Sequence, residues 1–351
     1  MPEQSPGSRP TLEAVAARAG VSRATASRVV NGGDGVRKPL VDKVLRAVDE
    51  LGYIPNHAAR TLVTRRTGAV AVVIAEPEIR IFSDPFFSQQ IRGISKELTA
   101  HDTQLVLLLV EGPGDFERIA RYLSGGHVDG ALAFSLHTDD PLPAITRRAG
   151  IPTVYGGRPS WTAGPGDQAV SYVDADNRGG ARVAVQYLRD LGRERIAHIG
   201  GPPDQTSAMD RLDGYRDVLI DVDPTLVVEG AFTVESGARA MAALLERRPD
   251  LDAVFVANDL MASGALRVLR ERGVAVPEQV ALVGFDDMAG VAEETDPPLT
   301  TVAQDIEGQG RLMARLLLRG LDRVRDRDRT GNGSAPDSVI TPTTLVRRAS
   351  A

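Results

Sequence analysis

Apolar positions follow two rhythms along this chain. Up to about residue 66 they recur every three or four residues. From residue 69 onward they gather into short, nearly unbroken runs separated by amphipathic stretches. The first rhythm predicts short helices. Thr11 caps a helix running to about Arg18, with Leu12, Val15, Ala16 and Ala19 on its inner face. Ala19-Gly20-Val21 reads as a tight turn. Ser22 caps a second helix whose Val29 and Val30 point inward. A third helix, about Pro39 to Leu51, repeats the stripe at Leu40, Val44, Ala47, Val48 and Leu51. Three short helices with a glycine turn between the first two describe a helix-turn-helix module.

The second rhythm predicts buried strands. "AVAVVIA", "QLVLLLV", "VDGALAF", "RIAHIG", "LDAVFVAND" and "VALVGFDD" are rich in Val, Leu and Ile, as in strands covered on both faces. Amphipathic helices between them predict an α/β doubly wound architecture, and the length suggests two such units. The expected organisation is a tail over 1–10, a headpiece over 11–55, a hinge over 56–67 and a core over 68–351. Within the core, the first lobe is placed at about 68–165 and 297–325, the second at about 166–296 and 326–348. The helix near Asp305–Arg319 should cross back to the first lobe and "VITPTTLV" should return to the second. "GLDRVRDRDRTGNGSAPDS" reads as an exposed loop.

Composition narrows the classes. Across 351 residues, 42% are apolar and 25% charged, as in an ordinary soluble protein. There is no cysteine, so disulfide and thiolate chemistry are excluded. No apolar run approaches the ~20 residues of a membrane span. The opening "MPEQSPGSRPTLE" lacks the apolar stretch of a secretion signal, which predicts a cytoplasmic protein. Charge is uneven. Residues 1–66 carry eleven Lys and Arg against six Asp and Glu, a net of +5, leaving −11 on the rest of a chain whose total is −6. A basic arm on an acidic body points to a polyanion partner confined to the N-terminus.

The second helix carries that chemistry. In a helix-turn-helix, the N-terminal residues of the second helix face base edges in the major groove. Here these are Arg23, Ala24 and Thr25, with Arg28 one turn on. Arginine bonds guanine O6 and N7 with two parallel bonds, discriminating by roughly 1–3 kcal/mol. Ser22, Thr25, Ser27 and Asn31 are short groups suited to phosphate oxygens, which set register rather than sequence.

"TLEAVAARAGVSRATASRVVNG", followed by "ELGYIPNHAARTL", resembles the DNA-binding headpiece of the LacI/GalR family of transcriptional regulators, densely over residues 11–63. This chain departs from the family pattern at Ala26, where a larger aliphatic is usual. It also holds Arg37, Leu40 and Val41 where the third helix usually has a Ser cap and a Thr-Arg pair. Thr11 belongs to the implied DNA-contacting set. So do Asn56, His57 and Leu62 of "NHAARTLV", in which Asn56 can cap a helix beginning at His57. Seven residues fall short of the ~12–15 at which an isolated helix is even marginal, so the segment should order only on DNA. The resemblance implies that this hinge helix enters the minor groove, with Leu62 wedged into a central base step.

Polar residues collect at the expected carboxyl ends of strands, where ligands of such sheets bind. They occur in "FSDPFF", "SLHTDD", "GGPPDQTSAMDR", "ND" and "DD". The family resemblance continues through these segments to about Arg348 and implies a periplasmic-binding-protein-like core of two doubly wound parallel sheets. The effector contacts it implies are Arg211, Asn258 and Asp286, then Phe87, Ser207 and Phe232, with Gln205 a further member. Ser135 and His137 join them because they lie just beyond a strand end. Where many relatives carry a carboxylate, this chain has Gly157, and Arg158 or Trp161 are the neighbours placed to compensate. "IAEPEIRIFSDPFFSQQIRGISKEL", "HTDDPLP" and "SYVDADNRGGARVAVQYL" are most similar to actinobacterial regulators of β-glucoside and cello-oligosaccharide use.

The expected activity is therefore a DNA-binding regulator. It should repress sugar-utilisation genes from an inverted-repeat operator and be released by a sugar such as cellobiose or another β-glucoside or oligosaccharide. Corepressor-dependent binding, activation, and a sugar-binding protein with no regulatory role are the alternatives. No leucine-heptad tail follows the core, so a homodimer is expected. An enzyme is disfavoured: no Walker loop, G-x-S-x-G elbow or H-E-x-x-H pair appears, and the five histidines are scattered. No cofactor, metal or membrane partner is expected.

Overall fold

The computed structural model describes residues 10–31, 35–54, 66–160, 170–330 and 337–351. Two compact units divide between Thr67 and Gly68. In the first, α1 (Leu12–Ala19), α2 (Arg23–Val30) and α3 (Lys38–Leu51) enclose a small core of Val15, Ala16, Ala19, Ala26, Val44 and Ala47. Thr11 caps α1 by accepting from Ala14 N–H at 3.2 Å, and Ser22 caps α2 by accepting from Thr25 N–H at 3.1 Å. Gly20 ends α1 in the left-handed region, φ 64°, which turns the chain directly into α2. Ala26 is fully buried, so its small side chain sets a close approach of α2 to its neighbours. Arg37 precedes α3 without a side-chain cap, as its departure from the family pattern predicts.

The second unit contains two six-stranded sheets. The first has the order β11-β5-β4-β3-β1-β2, and all its pairings are parallel. Its strands are β1 (Ala69–Ile74), β2 (Gln104–Leu109), β3 (Gly130–Phe134), β4 (Thr153–Gly156), β5 (Ser171–Ala175) and β11 (Ser338–Thr341). The second has the order β12-β10-β9-β8-β6-β7, parallel except where β12 meets β10. Its strands are β6 (Ile196–Gly200), β7 (Val227–Glu229), β8 (Ala253–Val256), β9 (Ala281–Asp286), β10 (Thr300–Ala303) and β12 (Thr344–Val346). Helices α4 (Glu78–Ser83), α5 (Pro85–Ala100), α6 (Pro113–Ser124) and α7 (Leu142–Ala149) follow first-lobe strands. Helices α8 (Asn177–Asp190), α9 (Thr206–Val218), α10 (Val234–Arg247) and α11 (Asp259–Glu271) belong to the second lobe. The long α12 (Ile306–Thr330) returns to the first lobe and packs on α5.

Three lobe assignments differ from the sequence reading. β5 was expected in the second lobe, but it extends the first sheet beside β4. A Gly- and Pro-rich break need not separate lobes, and this one lies between strands that are neighbours. β10 was expected in the first lobe, but it pairs parallel with β9. "VITPTTLV" was expected to be one strand of the second lobe. It divides instead: β11 joins the first sheet and β12 the second. Pro342, which has no N–H to give a ladder, lies between them. The chain thus passes between lobes three times, after β5, after β10 and after β11.

Candidate functional site

On the headpiece, the burial of α2 sorts its residues. Ala26 faces the core, while Arg23, Ala24 and Arg28 are exposed. Arg23, Ala24, Ser27, Arg28 and Asn31 line one shallow, open depression. Arg23 Nε pairs with Glu13 at 2.5 Å, an exposed contact that a phosphate or base can replace. The Ser22 and Thr25 hydroxyls lie 2.9 Å apart, and Asn31 Nδ2 donates back to the Ser27 carbonyl at 2.8 Å. Thr11 is exposed beside the start of α1. Asn56, His57 and Leu62 lie outside the described residues, as does Trp161.

Between the core lobes lies a cleft with about 800 Å³ of empty space, counting the part open to solvent. Of the residues the sequence singled out, Arg211, Asn258, Asp286, Phe232, Gln205, Ser207 and Ser135 all line it. Arg211 on α9 is 5% exposed and forms the centre of the second-lobe wall. Its Nε donates to Asn177 at 3.0 Å, its Nη1 donates to the Ala257 carbonyl, and its Nη2 stands 3.3 Å from Asp286. The guanidinium lies 3.8 Å from the centre of the Phe285 ring. Burial lowers the Arg211 pKa, with Asp286 opposing; burial raises Asp286, with Arg211 opposing. Each charge offsets part of the cost of burying the other. Asn258 caps α11 by accepting from Met261 N–H at 2.9 Å. Ser135, Phe232 and Asp286 all hold positive φ (59°, 57° and 108°), an uncommon conformation that concentrates at ligand sites.

Two expected contacts are corrected. Phe87 is fully buried in the first-lobe core, stacked on Phe134 at 6.1 Å, and the neighbouring Phe86 faces the cleft instead. At the start of α5 successive side chains point about 100° apart, so only one of the pair faces the cleft. His137 does not line the cleft. It stands at the seam, with Nδ1 2.7 Å from Asp204 and Nε2 3.3 Å from Glu76. Gln205 Nε2 reaches the same Glu76 oxygen at 3.1 Å. A second seam joins Arg158 to Asp210 at 2.7 Å, so Arg158 is at the cleft beside Gly157.

Other lining residues gave no strong sequence signal. Arg80 and Asp84 follow β1, Asp174 and Asn177 flank the first crossing, and Gln304 and Gln309 follow the second. Gln90 sits inside an amphipathic helix. The crossings bring these together, and only the fold defines where the crossings lie. Burial pushes Asp84 up to about 6, with Asp286 and Glu76 adding to it and the Phe86 N–H and Arg80 opposing. Burial also raises Glu76, but His137, Arg80 and Ser135 outweigh it and hold that carboxyl below its ordinary range. Among the described residues no cluster of three or more His, Asp or Glu is arranged to hold a metal, and no helix is long and apolar enough to cross a membrane. Carboxylates, amides and guanidinium groups around apolar rings are suited to binding a polyhydroxylated ligand by paired donors and acceptors.

Two family models match the chain. Residues 11–56 match "Bacterial regulatory proteins, lacI family" and residues 185–351 match "Periplasmic binding protein-like domain". The chain is 49% identical over 346 residues to the HTH-type transcriptional regulator CelR of Thermobifida fusca, covering 97% of this chain and 98% of that protein. It is 34% identical to the ribose operon repressor of Escherichia coli (strain K12) over 315 residues, 88% of this chain and 92% of that one. A solved transcriptional regulator CelR-cellobiose complex superposes with a TM-score of 0.74 at 47% identity, covering 98% of this chain and 100% of that one. The lac repressor dimer bound to operator and the anti-inducer ONPF superposes with a TM-score of 0.82 at 27% identity, covering 98% and 99%. A helix-turn-helix unit, two doubly wound sheets around a cleft and this level of identity agree: the chain belongs to the LacI family of bacterial transcriptional regulators, non-enzymatic proteins that bind DNA.

Proposed function

We propose that this regulator is a cytoplasmic repressor of saccharide-utilisation genes, released from its operator by a neutral β-linked glucose oligosaccharide, with cellobiose the first choice. The observation that carries the effector half is the cleft. Arg211, Asp286 and Asn258 stand together on one wall with Phe232 beside them, a set that grips vicinal hydroxyls and stacks on a sugar face. The likeness over nearly the whole chain to a regulator solved with cellobiose supports the choice of sugar.

The DNA half rests on α2. Arg23, Ala24, Thr25 and Arg28 face base edges, Ser22, Thr25, Ser27 and Asn31 suit phosphates, and Thr11 belongs to the same DNA-contacting set. Asn56, His57 and Leu62 form the hinge that wedges the minor groove at a central CpG of an inverted repeat, one copy from each protomer of a homodimer. Sugar shifts the lobes and the protomer contact, and the hinges separate. Moving occupancy from 99:1 to 1:99 needs a preference of ~5.5 kcal/mol for the released state.

Fluorescence anisotropy on a palindromic duplex selected from a random pool tests this, run at fixed salt across a panel of mono- and oligosaccharides. Release by cellobiose or a related glucoside is the expected result. Tighter binding with sugar makes the ligand a corepressor, and indifference to every sugar removes the effector reading.

A further inference from the structure

We infer that Gln90 and Arg80 contact the effector from the first-lobe wall of the cleft, each reading a hydroxyl of an uncharged saccharide. This rests on the sugar-effector reading above.

Gln90 occupies a place that the helix pattern reserves for an apolar residue. On α5 the buried positions are Phe87, Gln90, Gly93, Ile94 and Leu98, and Gln90 is 2% exposed. A buried amide costs free energy unless its bonds are made. Gln90 Nε2 points to Met313 Sδ at 2.9 Å, which orients the amide, while its Oε1 has no partner among the described residues. Arg80 Nε is buried and unpartnered in the same way. Four buried side-chain atoms among the described residues lack a partner, and these two belong to side chains that line the cleft; the other two, on Asp140 and His198, do not line it. The site already described leaves one acceptor and one donor unassigned on this wall.

The amide is also held still. A Cβ at Gly93 would lie 2.0 Å from the Glu307 carbonyl, and one at Gly310 would lie 2.3 Å from the Gln90 carbonyl. These two glycines bring the backbones of α5 and α12 together on either side of Gln90, so it projects from a rigid pair of helices. Arg80 is fixed by Glu76, 2.7 Å away, and its guanidinium stands 5.8 Å from the Phe87 ring centre and 5.7 Å from that of Phe232 in the opposite lobe.

The chemistry selects the ligand class. The Arg80 charge is paired with Glu76, which leaves Nε–H as a donor rather than a free cation. A hydroxyl satisfies either group, donating to Gln90 Oε1 or accepting from Arg80 Nε. An ionised carboxylate, or the dianionic end of a phosphate ester, has no proton for Gln90 Oε1 and meets the Asp84 carboxylate on the same wall.

Calorimetric titration of the full-length protein with cellobiose and its monodeoxy analogues tests the assignment. Gln90→Met should weaken cellobiose binding about tenfold, the loss from one unmade bond. One monodeoxy analogue should bind the wild type about tenfold more weakly than cellobiose and should no longer sense Gln90→Met. Arg80→Lys keeps a charge for Glu76 but removes Nε; it should show the same pattern with a different analogue. Should Gln90→Met fail to fold, as read by thermal melting and operator binding, the Arg80→Lys cycle decides. Unchanged affinity in the folded variants overturns the inference, as does a parallel loss across all analogues, and both leave the sugar-effector reading standing. A wild type that binds no saccharide overturns that reading and this one with it.

Discussion

His137 of the first lobe and Asp204 of the second meet at the seam between the lobes, with Nδ1 2.7 Å from the carboxylate. Next to them Thr138 donates to the Asp204 carbonyl through its N–H at 2.8 Å and its hydroxyl at 2.9 Å. The hydrogen bond to Glu76 is the largest influence on the ring; with Asp204 it overcomes burial and raises the His137 pKa from 6.5 to about 9. Glu76 shares the first lobe with His137, so only the Asp204 contact ties the charged ring to lobe closure, and that contribution is lost as pH rises through about 9. Sugar affinity should therefore fall between pH 7 and 9.5, a range above the titration of Asp84, and His137→Gln should flatten the profile. Isothermal titration at fixed ionic strength checks it; a flat wild-type profile contradicts the seam.

Arg211 and Asp286 form a buried pair, each side chain 6% exposed. Removing one partner leaves a buried charge uncompensated, at a cost of roughly 3–5 kcal/mol. Arg211→Ala should lower the melting temperature of the core by several degrees, keep operator binding below that temperature and abolish the sugar response. Anisotropy with and without sugar reads this, and an intact response would take Arg211 out of the effector site.

Leu62→Ala tests the hinge. If the side chain wedges a base step, its loss costs specific affinity by on the order of tenfold or more. Binding to random duplex, governed by phosphate charge, should keep its salt slope. Equal losses on operator and random DNA would show that the residue does not insert.

His198 lies between the rings of Tyr215 and Phe255, 5.1 and 4.9 Å away, and its Nδ1–H donates to the Phe255 carbonyl at 3.0 Å. Burial drives its pKa from 6.5 down to about 4. The fold favours the neutral ring, so its contribution holds above 6.5 and is lost as pH falls through 4, by roughly 3 kcal/mol at most. His198→Phe keeps the stack and cannot ionise. The wild type should lose melting temperature relative to this variant as pH falls from 6.5 to 4, whereas a constant difference would mean that folding does not shift the titration of the ring.

The headpiece was legible in the sequence because its contacts are local. Thr11, Gly20 and Ser22 act on the backbone within four residues of themselves, and a period of 3.6 puts Val15, Ala19, Val44 and Ala47 on inner faces whatever the rest of the chain does. The strands of the core were legible for a similar reason: residues buried on both faces must be apolar without alternation. Family resemblance supplied Arg211, Asn258 and Asp286, and strand-end position supplied Ser135. No local rule distinguished Phe86 from Phe87 as the cleft-facing ring.

What the sequence alone determined is the kind of element at each place and the chemistry carried by α2. What only the tertiary structure decided is which elements share a sheet and which side chains share the cleft. Strand pairing spans long separations: β5 meets β11 across more than half of the core, with Val173 opposite Val339. Its choice of partner depends on the summed burial of both lobes, not on the residues beside it. The three crossings that follow from that pairing bring Gln90, Arg158, Arg211 and Gln304 from four distant segments to one cleft. Their meeting is a property of the closed chain path, and no period or motif encodes it.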